Sequence, residues 1–172
     1  MTLTFVTGGA RSGKSGYAVR LAAAAAGTRV ALIATAEARD GEMRERIAAH
    51  RAERPAGWRT IEEPRDLSGA LASLASDEFA IVDCLSLWVS NLLEDAGGAD
   101  IEGRAAEAAA LAASHAGGCV AVSNEVGMGI VPVNALARSY RDVLGRVNAI
   151  WAEVADDALF AVSGRLLRLE RM

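Results

Sequence analysis

Apolar residues in this chain fall into short unbroken runs, separated by longer stretches where apolar and polar residues recur with helical spacing. "LTFVT" at 3–7, "RVALIAT" at 29–35, "FAIVDCL" at 79–85 and "CVAVSN" at 119–124 are such runs, and they predict strands. "WRTIEEP" at 58–64 predicts a short strand or extended segment, and "ALFAVSG" at 158–164 with "LLRLE" at 166–170 predict a final strand pair. The stretches 13–26, 41–54, 67–75, 101–116 and 134–156 predict helices. The first is closed by Gly27, the second by Pro55 and the fourth by Gly117 and Gly118. The stretch 94–103 reads as a surface loop.

Strands that alternate with helices, and that are apolar on both faces, predict an α/β fold: a mostly parallel sheet with helices on both sides. A short turn separates the last two runs, too little chain for a parallel return, so that pair is expected as an antiparallel hairpin. The 172 residues fit one domain, 1–172, with no internal repeat and no low-complexity linker.

Composition narrows the function classes. A net charge of −4 argues against nucleic acid as a partner. Two cysteines, Cys84 and Cys119, and two histidines occur without a CxxC or Cys/His cluster, which argues against a zinc site. No signal-peptide pattern and no apolar run near the ~20 residues that span a bilayer is found, so a cytoplasmic protein without a membrane span is expected.

One composition detail points to a site. Of the 18 basic residues 17 are arginine, and the single lysine is Lys14, inside "GGARSGKS". That segment, Gly8, Gly9, Ala10, Arg11, Ser12, Gly13, Lys14 and Ser15, fits the phosphate-loop pattern G-x-x-x-x-G-K-[ST] between a strand and a helix. Glycines let consecutive N–H groups turn inward onto phosphate oxygens, and the helix N-terminus adds positive potential. A compact ammonium suits the β- and γ-phosphates better than a wide guanidinium fork. Ser15 would bind Mg²⁺, with Asp83 at the end of an apolar strand as its acidic partner. Glu125, just beyond another strand, would orient a water or substrate hydroxyl, or else serve its own loop.

A second unusual stretch is "MRERIAAHRAERP". Helical spacing puts Arg46, His50 and Arg54 in one row and Met43, Ile47 and His50 in another, with Arg51 adjacent. Cations on both sides favour the neutral, nucleophilic imidazole and would also hold the phosphates it attacks. The plainer reading is a surface helix with a partly buried histidine. His115, at the end of an alanine-rich stretch, reads as a helix C-terminal residue.

"TGGARSGKS", "IAAHRAERPAGWRTIEEP", "VDCLSLWVSNLL", "SNEVGMGIVP" and "LARSYRDVLGRVNAIWAEVAD", in this order, resemble the bifunctional adenosylcobinamide kinase/adenosylcobinamide-phosphate guanylyltransferases of cobalamin biosynthesis. Most diagnostic are HRxxRPxxW at 50–58 and NEVGxGIVP at 124–132. The resemblance implies a RecA-like P-loop NTPase fold, a homotrimer, and GTP and ATP as substrates. It implies phosphorylation of adenosylcobinamide, then transfer of GMP from GTP through a covalent bond to a histidine, here His50. The implied nucleotide contacts are the phosphate loop, Ile33, Ala34 and Thr35, then Arg51, Ala52, Glu53 and Arg54, and Glu62 in preference to Glu63. The chain departs from the family in "SGRLLRL", which lacks the proline expected after the SG turn, at a segment expected to lie far from the chemistry. Two rivals explain less. A P-loop small-molecule kinase gives His50 and its arginines no task, and a GTP-gated interaction module, using helix 134–156 and Trp88 as its surface, gives them none either.

Overall fold

The first apolar run forms β1 (Leu3–Gly8), buried at every position. The computed structural model describes residues 2–38, 41, 44, 45, 48, 51, 55, 57–94 and 100–171. After β1 come α1 (Lys14–Ala26), β2 (Val30–Ala34), β3 (Arg59–Glu62), α2 (Leu67–Ala72) and β4 (Phe79–Asp83). Then follow α3 (Leu85–Glu94), α4 (Ile101–Ser114), β5 (Cys119–Val122), α5 (Ala135–Val154), β6 (Asp157–Val162) and β7 (Arg165–Arg168). Between β2 and β3, Gly41, Arg44, Glu45, Ala48 and Arg51 are helical.

These strands make one sheet in the order β3-β2-β4-β5-β1-β6-β7. The β1 to β6 strands are parallel and β7 is antiparallel to β6. The expected α/β P-loop architecture with its C-terminal hairpin is therefore what the chain adopts. The period-2 alternation of strand side chains splits the core in two. Leu3, Phe5, Ile33, Val82 and Ala121 face α2 to α5, where Trp88, Leu144 and Trp151 are buried with them. Val6, Leu32, Ile81, Val120 and Val122 face α1. On α1 the buried positions are Lys14, Ala18 and Ala22, spaced four apart, and those small side chains let the helix lie close against the sheet. The ends are tied late: the Leu3 amide donates to the Asp156 carboxylate at 2.9 Å, across 153 positions of sequence. Asp66, Asp100 and Asn134 cap α2, α4 and α5 by accepting from Gly69, Gly103 and Ala137 amides. His115 follows α4 as its C-cap residue, as expected. Among the described residues no helix is long and apolar enough to cross a membrane.

Three expectations need correction. The run at 79–85 is not one strand: β4 ends at Asp83, and α3 begins at Leu85. Helix α3 leaves little trace in the residue pattern because Leu85, Ser86, Trp88, Val89, Asn91 and Leu92 are all buried, so no clear polar face marks the helical period. Trp88 and Trp151 are core residues, 1% and 0% exposed, so Trp88 offers no surface to a partner. The "SG" turn is not far from the phosphate loop. In a parallel sheet the C-terminal ends of strands share one edge, and β6 runs beside β1 as far as the Gly8–Ala161 pair. The turn that follows therefore lands on the loop, where the Gly164 amide donates to the Ser12 carbonyl at 3.2 Å.

Candidate active site

The phosphate loop leaves β1 through Gly8, whose φ of +150° and whose place against β6 both require glycine. A Cβ there would lie 2.2 Å from the Ala161 carbonyl oxygen. Arg11 stands at φ +55°, unusual for a residue with a side chain. Gly13, at φ +97°, is the N-cap of α1, and no side chain caps it among the described residues. The first N–H groups of α1 thus face the cleft, where an anion would satisfy them.

Lys14 is 6% exposed. Its ammonium donates to the Gly8 and Gly9 carbonyls at 2.9 and 2.6 Å and to Ser12 Oγ at 3.4 Å. Burial lowers its pKa, while Cys84 and Asp83 pull the other way. A cation held by neutral carbonyls under a desolvation load gains when phosphate replaces those carbonyls. Ser15 Oγ donates to Asp83 Oδ1 at 3.5 Å, so β4 delivers its terminal carboxylate to the loop's hydroxyl.

A cleft of about 750 Å³ opens from this loop, lined by Glu62, Asp83, Cys84 and Asn124 at or just past strand ends and by Arg44, Ala48 and Arg51 from the segment between β2 and β3. Of Ile33, Ala34 and Thr35, at and just past the end of β2, Ala34 lines the cleft. Ile33 packs into the core instead. Thr35 is fully buried; its hydroxyl donates to the Cys84 carbonyl at 2.7 Å and accepts from the Cys84 amide at 2.9 Å, binding the ends of β2 and β4 together. Glu62 forms an ion pair with Arg51 at the cleft wall. Glu63 turns away, accepting the Arg65 and Asp66 amides at 3.0 and 2.9 Å ahead of α2. The Glu125 amide donates to the Gly8 carbonyl at 3.0 Å, and its carboxylate accepts from the Gly127 amide, serving its own loop. His50, Ala52, Glu53 and Arg54, with Met43, Arg46 and Ile47, lie outside the described residues.

Asn124 was in a quoted motif but carried no assigned role. It sits just past β5, which lies between β1 and β4, and so it reaches the cleft floor. Its amide nitrogen donates to Ser86 Oγ at 3.1 Å, and its carbonyl accepts from Asn148 of α5 at 3.0 Å. Cys84 also keeps surface at the cleft, yet its thiol is packed among protein atoms. Burial, with Asp83 adding to it, pushes that thiol up to about 11, and burial alone pushes Cys119 to about 12. A raised thiol pKa means little thiolate at ordinary pH. Native protein at pH 8 should accordingly react with iodoacetamide at roughly 1% or less of the unfolded chain's rate. Rapid labelling of native Cys84, located by peptide mass, would contradict this.

Comparison with known proteins gives a consistent picture. The family described as cobinamide kinase / cobinamide phosphate guanyltransferase matches residues 4–169. The bifunctional adenosylcobalamin biosynthesis protein CobP of Pseudomonas aeruginosa is 45% identical over 160 residues, covering 92% of each chain. The bifunctional adenosylcobalamin biosynthesis protein CobU of Salmonella typhimurium is 42% identical over 176 residues, 94% of this chain and 96% of its own. That of Escherichia coli is 39% identical with the same coverage. Among solved structures, the flagellar accessory protein FlaH from Methanocaldococcus jannaschii superposes with a TM-score of 0.50 over 96% of this chain and 74% of its own, at 15% identity. That last likeness concerns the fold alone.

Proposed function

The chain belongs to the cobinamide kinase / cobinamide phosphate guanyltransferase family, and on that premise we propose that one domain, 1–172, catalyses two successive reactions in the cytoplasm. In the first, a nucleoside triphosphate, ATP or GTP, phosphorylates the aminopropanol hydroxyl of adenosylcobinamide. In the second, His50 attacks the α-phosphate of GTP; a P–N bond forms, the α–β P–O bond breaks, and pyrophosphate leaves. The phosphate of adenosylcobinamide phosphate then attacks the guanylylated histidine, breaking the P–N bond and giving adenosylcobinamide-GDP.

The observation that carries this reading is a single cleft with two kinds of phosphate-binding wall. One wall has Lys14 and the N-terminus of α1, and the other has Arg44 and Arg51. Ala48 and Arg51, which flank His50 in sequence, both line it. A triphosphate spanning the cleft would present its terminal phosphates to the loop and its α-phosphate toward the arginines. Ala52, Glu53 and Arg54 belong with Arg51 in the proposed nucleotide site, as do Gly8 to Ser15, Ala34 and Glu62.

For Mg²⁺, Ser15 and Asp83 present the hard oxygen donors the ion takes, 3.5 Å apart. The ion would neutralise charge on the β- and γ-phosphate oxygens. A homotrimer is proposed as well. Met128, Ile130 and Val133 are 78%, 97% and 98% exposed in one chain, apolar surface that a neighbouring subunit would cover.

Pyrophosphate tests the second reaction. With GTP and adenosylcobinamide phosphate, the protein should release one pyrophosphate for each GMP transferred. A kinase alone would release none, and a nucleotide-gated module would consume no GTP at all.

A further inference from the structure

The two-residue turn joining β6 to β7 touches the phosphate loop, though neither of its residues lines the cleft. Val162 pairs with Arg165 across Ser163 and Gly164, whose φ values are +50° and +72°. Positive φ at both central residues is the type I′ pattern, which matches strand twist and makes a stiff hairpin end. The Gly164 amide donates to the Ser12 carbonyl at 3.2 Å, and a Cβ on Gly13 would come within 3.7 Å of the Gly164 Cα. We propose that Ser163 and Gly164 form a positioning brace for the phosphate loop, fixing the Ser12–Gly13 peptide so that the loop's amides face the nucleotide.

The physical argument concerns carbonyl direction. A loop that points its N–H groups inward must point its carbonyls out, and each outward carbonyl needs a donor when it is shielded from water. Lys14 occupies the Gly8 and Gly9 carbonyls, and the Glu125 amide also donates to Gly8. Ser12 is 7% exposed, which favours a protein donor for its carbonyl, and among the described residues the Gly164 amide supplies one. The brace acts through backbone atoms, so its sequence requirement is turn geometry.

The inference rests on the reading of residues 8–15 as the phosphate site, and the experiment separates the two. Inserting one glycine between Gly164 and Arg165 breaks the two-residue turn and moves the donor. Ser163→Asn keeps the type I′ geometry and is the conservative control. GTP and pyrophosphate binding are measured by calorimetry, with the ligand-free melting temperature as the measure of fold. The insertion should weaken both ligands roughly three- to tenfold, the weight of about one net hydrogen bond, with the melting temperature little changed and Ser163→Asn binding as wild type. Should the insertion variant fail to fold, amide exchange by NMR on the wild-type protein decides instead: GTP should slow exchange of the Gly164 amide. Wild-type affinity in a folded insertion variant, or Gly164 exchange indifferent to GTP, would overturn the brace. If Lys14→Ala also left the affinity unchanged, the phosphate-site reading itself would fall.

Discussion

Lys14→Ala is expected to lower GTP affinity by roughly 30- to 1000-fold, because it strips a desolvated charge from its anionic partner. Both transfers should fall with it, since one loop is proposed to hold the phosphates in each. The fold should survive. Lys14 is 6% exposed, its ammonium is bonded among the described residues to carbonyl and hydroxyl oxygens, and burial lowers its pKa. Folding therefore takes that charge out of water for limited return, and losing it should leave the melting temperature within a few degrees of wild type. Calorimetric titration with GTP beside a thermal melt checks both halves. Unchanged affinity would remove the phosphate loop from the site. Lys14→Arg is a sharper control, because the wider fork keeps the charge and is expected not to restore binding.

His50→Ala should abolish GMP transfer, by roughly a thousandfold or more, while phosphorylation of adenosylcobinamide continues within a few-fold of wild type. The asymmetry follows from the chemistry. In the proposed scheme the first reaction would send the γ-phosphate directly to a hydroxyl, and the second would use a nucleophile on the protein. GTP labelled at the α-phosphate should leave acid-labile label on the wild-type chain and none on the variant. Label that persists in His50→Ala, or kinase activity that falls in step with GMP transfer, would rule out a separate nucleophile at this position.

Much of the sheet was written in plain apolar runs. Strands such as 3–7 and 119–124 are buried on both faces, so every residue carries the signal. Lys14 was legible because it is the single lysine among arginines. Helix α3 was hidden by the same burial that exposed the strands, since a helix packed on several sides shows no polar stripe. The choice between Glu62 and Glu63 turned on which way adjacent side chains point along β3 and into the turn after it, something two identical residues cannot declare. The Thr35–Cys84 bonds and the Ser12–Gly164 contact were out of reach for another reason. Each joins residues far apart in sequence with a backbone group as at least one partner, and a backbone group has no residue type to read.

The place of β1 in the sheet has a consequence for how the protein is made. β1 pairs with β5 and β6, and its Leu3 amide donates to a carboxylate 153 residues later. Such long-range pairing is paid for in loop entropy before it returns anything, so folding is expected to be slow. A growing chain carries its phosphate-loop sequence well before β5 and β6, the strands that seat β1, have been made. Nucleotide binding should therefore emerge only after β6, making GTP a poor ligand for chains truncated ahead of it.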